Sequence, residues 1–187
     1  MYYLSLDLEI SKIEKVFLEQ EKKFDYVNAE NRKIVRACSN AIKALHAKDM
    51  KEAKKSLSEA ESSLVKFRKE AADFSSQLNH VLQEYTEAKI VFCAIESGKI
   101  PKFSDLDVPE ISYVLGLLDS IGELKREMYE SLRSGKRKDA EKYFSMMEDI
   151  FDSLLPLRFS NAILPEFRHK QDVGRIQIEQ ARGELLP

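Results

Sequence analysis

Four carboxylates on two stretches of helical pattern carry most of the chemistry this chain could do. In LNHVLQEYTEAKIVFCAI, a projection at about 100° per residue puts Glu84 among Val81, Val91 and Ile95, facing the apolar sector, with Glu87 at its edge. A carboxylate aimed into an apolar stripe must be protonated, paired or bound to a cation. In YVLGLLDSIGELKR, Asp119 and Glu123 stand four residues apart on a face shared with Ser112 and Gly116, beside Gly122. Side chains at such spacings lie about 5–6 Å apart at Cβ. If the two segments pack side by side, Glu84, Glu87, Asp119 and Glu123 form an oxygen-only cluster. That donor set suits Mg²⁺ or Mn²⁺ and serves zinc poorly, and the two Glu-x-x-His motifs of di-iron bundles are not both present, only Glu166 and His169 having that spacing. One or two such ions activate a water and stabilise the leaving oxygen of a phosphodiester, which is nuclease chemistry. The plainer reading of the same spacing is that these acids are solvated or pair with Lys89, Lys125 or Arg126. His80, one turn before Glu84, is either an outer-shell donor or simply packed or exposed.

The elements that must position these side chains follow from composition and punctuation. With 187 residues, 43% hydrophobic, 33% charged and a net charge of −2, the chain is sized for one domain, residues 1–187, that hides roughly 70% of its unfolded surface. Those values exclude a disordered tail and a uniformly basic nucleic-acid coat. No apolar stretch approaches the roughly 18 residues of a membrane span. The opening MYYLSLDLEISK lacks the basic region, apolar run and cleavage site of a secretory signal, so a cytoplasmic location is expected. Cys38 and Cys93 have no CxxC spacing and read as reduced, buried-type thiols.

All six glycines and all five prolines lie at or after Gly98, so nothing earlier breaks a helix strongly. Leu8, Ile13, Val16 and Phe17, then Ile34, Val35, Cys38, Ala41, Ile42 and Leu45, recur at helical spacing. The spacing predicts one long helix, or two in line, to about His46, with Asp49 and Glu52 as a capping box for a second helix reaching about Phe74. Ser75 or Ser76 caps a third that stops at Gly98. Residues 99–109 form a loop, and a fourth helix begins near Pro109 and ends by Gly135. A fifth spans 136–155, Pro156 and Pro165 bracket a short piece, and the last helix covers about 166–182. Glycines at 116 and 122 inside a helix cost roughly 1 kcal/mol each relative to alanine, which makes sense where another helix or a ligand comes close. The expected fold is an all-α bundle of six or seven helices with a long N-terminal helix.

VLQEYTEA (81–88), YVLGLLDSIGELKR (113–126), NRKIVRACSNAIKALH (31–46) and LPEFRHKQDVGRIQIEQARGEL (164–185) together resemble the Translin/Trax family over most of the chain. In that family the RNA-cleaving Trax-type subunits carry acids in the first two runs, while Translin-type subunits lack them and serve in nucleic-acid binding and assembly. By position these acids fall on Glu84, Glu87, Asp119 and Glu123, so the chain resembles a compact, archaeal-type Trax-like subunit. The resemblance implies a seven-helix Translin-like subunit, octameric shells that enclose RNA, and Mg²⁺-dependent (or Mn²⁺-dependent) endoribonuclease activity on single-stranded RNA and small RNA duplexes. It also implies a homo-octamer, or a mixed shell with a Translin-type partner. The alternative is a non-catalytic Translin-type assembly that binds RNA or single-stranded DNA.

Holding RNA requires local positive charge that a net charge of −2 conceals. Arg32, Arg36 and Lys43 share one helical side in a stretch with no acid between Asn31 and Lys48. With Arg126 beside the acids, this stripe is expected to line an enclosed surface and track the RNA backbone. The competing reading is that Arg32 and Arg36 bridge to Glu30 or to a neighbouring subunit. No RRM, KH or zinc-knuckle signature is present, so base-specific reading is not expected.

Overall fold

A computed structural model describes residues 8–185. Helix α1 (Ile10–His46) is one unbroken helix of 37 residues, about 55 Å long. Asp49 accepts a hydrogen bond from the Glu52 amide at 2.9 Å and opens α2 (Met50–Glu70). This helix ends four residues before the expected Phe74, whose ring instead packs on Phe24 at 5.5 Å between centroids. Phe74, rather than Ser75 or Ser76, is the N-cap residue of α3 (Ser75–Ser97), and its carbonyl accepts the Leu78 amide. Gly98 ends α3 at φ 69°, where its amide reaches the Ala94 carbonyl.

Pro109 takes the N-cap of α4 (Glu110–Arg133), and α5 (Arg137–Leu154) follows a short turn. The loop at 99–109 contains a single 3-10 turn, Phe103–Asp105. Helix α6 (Phe167–Leu185) runs three residues past the expected end, where Arg137 donates to the Leu185 carbonyl at 2.6 Å. The described residues thus form six α-helices and no strand. Among them no helix is long and apolar enough to cross a membrane.

Two apolar clusters hold the helices together, and α3 belongs to both. Val81, Leu82 and Val91 join α1 and α2 through Ile34, Leu45, Leu57 and Phe67. Ile90 and Ala94 join α4, α5 and α6 through Ile121, Leu124, Met128, Met147 and Ile178. Each fully buried side chain of this size contributes about 1.5–3 kcal/mol. The start of α1 and Leu8 before it take no part: Leu8, Ile13, Val16 and Phe17 stay exposed, and burial begins at Val27. Helix α2 is only about 32 Å long and cannot cover the whole of its 55 Å neighbour. Cys38 is fully buried and Cys93 half-buried, both as free thiols.

Helices α3 and α4 approach each other closely at Gly116. A Cβ added to Gly116 would stand 2.7 Å from Thr86 Cβ and 3.0 Å from the Gln83 carbonyl oxygen. Thr86 is itself fully buried and donates to the Leu82 carbonyl at 2.7 Å, so it has no room to yield. Gly122 instead faces the flexible Gln177 amide at 3.2 Å, and α6 comes near at that point. Gly116→Ala should therefore lose about 1–2 kcal/mol, overpacking outweighing the gain in helix propensity. Its thermal midpoint should fall by roughly 5 °C. Gly122→Ala should be neutral or stabilising, and equal losses at both positions would contradict this account of the approach.

Candidate functional site

The contact at Gly116 sets the acidic faces of α3 and α4 against each other. Glu84, Glu87, Asp119 and Glu123 all line one groove of about 1190 Å³, whose other walls come from α1 and α6. The structure therefore brings the four expected carboxylates together. The cations near them are not the expected ones, since Lys89 pairs with Glu61 at 2.7 Å and Lys125 bonds Gln180.

Asp119 is held at both oxygens. Lys170 of α6 donates to Oδ1 at 2.6 Å, and Gln83 of α3 donates to Oδ2 at 2.6 Å. Glu123 Oε2 lies 2.5 Å from His46 Nε2 at the end of α1, and His46 Nδ1 lies 2.7 Å from Glu127 Oε1. Lys48 donates to the other oxygen of Glu127, which is fully buried. Burial alone would lower the pKa of His46, but its hydrogen bonds to Glu123 and Glu127 outweigh that and raise it above 6.5. Burial would likewise raise Glu127, yet the hydrogen bonds from His46 and Lys48 bring it below the ordinary glutamate value. The imidazole thus fixes one groove-lining carboxylate from behind through Nε2 while its Nδ1 contacts a buried one. Removing one partner from such a buried pair costs about 3–5 kcal/mol.

Glu84 and Glu87 have no such support. His80 Nδ1 is 3.9 Å from Glu84, beyond hydrogen-bond reach. Burial raises Glu84 most, His80 opposes it and Asp119 adds to it. Among the described residues Glu87 makes no side-chain hydrogen bond or ion pair. Burial, then the charges of Asp119, Glu84 and Glu123, push it up to about 8. The more strongly desolvated acid is thus Glu87, although a single-helix projection aims Glu84 deeper, because that projection contains neither α1 nor α4. Behind them Cys38 is pushed up to about 12 by burial and by the Glu84 and Glu87 charges, which leaves it an unreactive thiol.

The basic residues expected to hold RNA occupy a different place. Arg32, Arg36 and Lys43 are exposed on α1, make no ion pair among the described residues, and do not line the groove. On a helix turning about 100° per residue they lie some 40–80° round from Asn28 and His46, and so border the groove on its outer side. Arg32 and Arg36 do not bridge to Glu30, which pairs with Lys33 at 2.5 Å. Arg126 is exposed, outside the groove lining, and near enough to His46 for its charge to oppose protonation there.

The sequence pattern does not single out Glu127, Lys170 or Gln83, nor the pairing of His46 with Glu123. Glu127 was available as the next member of the four-residue series Asp119, Glu123, Glu127. Nothing in the pattern around Lys170 ties α6 to Asp119.

The donor set fits a hard divalent cation: all four acids offer oxygen, and the groove carries five carboxylates, with Glu166, against Lys170 as its one lysine or arginine. Among the described residues no three acidic, histidine or cysteine side chains are already disposed around a common metal position. Asp119 and Glu123 are instead drawn onto Lys170 and His46.

No protein-family model matches the chain. MJ0175, an uncharacterised protein of Methanocaldococcus jannaschii, is 33% identical over 160 residues, which cover 83% of this chain and 72% of that protein. The structure of AfC3PO in complex with duplex RNA aligns with a TM-score of 0.86 at 27% identity, covering 95% of each chain. The crystal structure of AfC3PO gives the same values. Apo-NeC3PO aligns at 0.85 with 23% identity over 97% of each chain, a likeness of fold.

The carboxylate environment has a thermodynamic consequence. Glu87 at about 8, against an ordinary 4.5, means the native state keeps a proton that the unfolded chain releases over that range. Its contribution is complete below about pH 4.5 and is lost as pH rises toward 8. The raised values of Glu84 and His46 act in the same direction. In chelator, the thermal midpoint should fall between about pH 5 and pH 8.5, and Glu87→Gln should flatten that fall. An unchanged pH profile in the variant would show that Glu87 is not the group responsible.

Proposed function

Because this chain belongs to the Translin/Trax family, as do the C3PO proteins it resembles in structure, we propose that it is a metal-dependent endoribonuclease subunit of an RNA-enclosing assembly. Its substrates are single-stranded RNA or small RNA duplexes. The observation that carries this reading is the groove shared by Glu84, Glu87, Asp119 and Glu123, with far more carboxylate than cation on its walls. A polyanion enters such a groove only if further positive charge comes with it.

Glu84, Glu87, Asp119 and Glu123 would hold Mg²⁺ or Mn²⁺. The bound ion supplies Lewis-acid activation of water and neutralises charge on the scissile phosphate. Gln83 keeps Asp119 oriented through Oδ2, and His46, backed by Glu127, does the same for Glu123 through Nε2. Such fixed supporting contacts hold reacting groups in place without reorganisation during the step. Arg32, Arg36 and Lys43, with Arg126, pair with backbone phosphates outside the groove, so binding is independent of sequence and extends to single-stranded DNA. The uncovered apolar start of α1, including Ile10, Ile13 and Phe17, supports self-association to a homo-octamer or pairing with a Translin-type partner.

A second reading is favoured by one observation: Asp119 and Glu123 are already engaged by Lys170 and His46. On that reading the chain is a non-catalytic assembly protein that binds RNA or single-stranded DNA. Labelled single-stranded RNA incubated with Mg²⁺ or chelator separates the two. The enzyme gives metal-dependent fragments, and Glu87→Gln or Asp119→Asn lowers cleavage by about 100-fold or more while a gel shift persists. A shift without fragments from the wild-type protein selects the second reading, and full cleavage by an Asp119→Asn/Glu123→Gln double variant ends the first. Replacing Arg32, Arg36 and Lys43 together by glutamine should reduce the salt dependence of single-strand binding by about 2 in log–log slope. An unaltered slope would place the phosphate contacts elsewhere.

A further inference from the structure

Lys170 is the one lysine or arginine on the groove wall, and its ammonium lies 2.6 Å from Asp119 Oδ1. Both side chains retain 20% of their exposure, so solvent still reaches the pair. An ammonium is a compact, strongly hydrated point charge on a flexible four-carbon stem, with no fork to lock it to a carboxylate. Gln83 grips the opposite oxygen, so Asp119 keeps its orientation when Lys170 lets go.

Resting on the metal-dependent reading above, we propose that Lys170 is a built-in competitor of the divalent ion: both use Asp119 Oδ1, and loading the site frees the ammonium to pair with RNA phosphate. A divalent ion and an ammonium in contact with one carboxylate oxygen repel each other strongly, so the two states exclude one another. Anchored on α6, the displaced ammonium stays in the groove, where its remaining neighbours are carboxylates that the ion also claims, apart from Glu166, which is exposed to solvent and so pairs only weakly. An entering phosphate is the partner without that conflict. Lys170 thereby lowers metal affinity when RNA is absent and raises RNA affinity once metal is bound, coupling the two ligands.

The test titrates Mn²⁺ into the full-length protein, followed by electron paramagnetic resonance, with wild type, Lys170→Gln, Lys170→Arg and Asp119→Asn. Lys170→Gln should bind Mn²⁺ roughly tenfold more tightly than wild type, while Lys170→Arg, which keeps the charge, should not gain. With saturating Ca²⁺ and single-stranded RNA, Lys170→Gln should bind RNA several-fold more weakly. Mn²⁺ affinity in Lys170→Gln equal to or weaker than wild type overturns the competition, and unchanged RNA affinity overturns the phosphate role. If wild type takes up Mn²⁺ and Asp119→Asn abolishes it, such a result removes Lys170's role alone. If neither wild type nor Lys170→Gln takes up the ion, the metal-dependent reading falls and this inference with it.

Discussion

Carboxylates removed from water repel one another more strongly than in solution, and a protein that gathers four of them in one groove must meet that repulsion somewhere. Here it is met unevenly. On α4, Asp119 and Glu123 are engaged by side chains from the last and first helices, Lys170 on α6 and His46 on α1. On α3, Glu84 and Glu87 receive no comparable partner, and Glu87 carries the largest consequence, its pKa pushed up to about 8. The acids of the groove thus fall into a supported pair on α4 and an unsupported pair on α3.

That arrangement depends on how the helices are divided. Because α3 contributes to both apolar clusters, its position is set from two sides, by Val81 and Leu82 toward α1 and α2 and by Ile90 and Ala94 toward α4 to α6. Its acidic face is left in the seam between the clusters. Gly116 lets α4 come against Thr86 and the Gln83 carbonyl, so the second acidic face meets the first at backbone range. A helix pair held apart by an ordinary side chain would separate the carboxylates by the width of that side chain.

Charge is sorted by surface, which the net value of −2 conceals. Among the described residues the groove is acidic, with Lys170 as its one lysine or arginine, while Arg32, Arg36 and Lys43 form a basic row without ion pairs on the outer side of α1. A nucleic acid meeting this surface is attracted along α1 and repelled by the groove unless the groove holds additional cations. On the proposed function, binding and chemistry would draw on different faces of neighbouring elements, and His46, between Glu123 and Glu127, joins α1 to the acids.

The helices themselves were legible in the sequence, because hydrophobic period, the Asp49 cap and the terminating Gly98 are local signals that act within a turn or two of where they stand. So were the four acids, since residue type and four-residue spacing place side chains on one face wherever the helix goes. The end of α2 and the start of α3 were not, because Phe74 leaves the helix to meet Phe24, fifty residues earlier. The exposed start of α1 was hidden for a related reason: its pattern is that of a buried helix, and only the short reach of α2 leaves it uncovered. Tertiary structure also decided which acids are paired. Lys170, Gln83 and His46 come to Asp119 and Glu123 from three other helices, and the spacing of residues along one helix holds no information about the charges that another will bring.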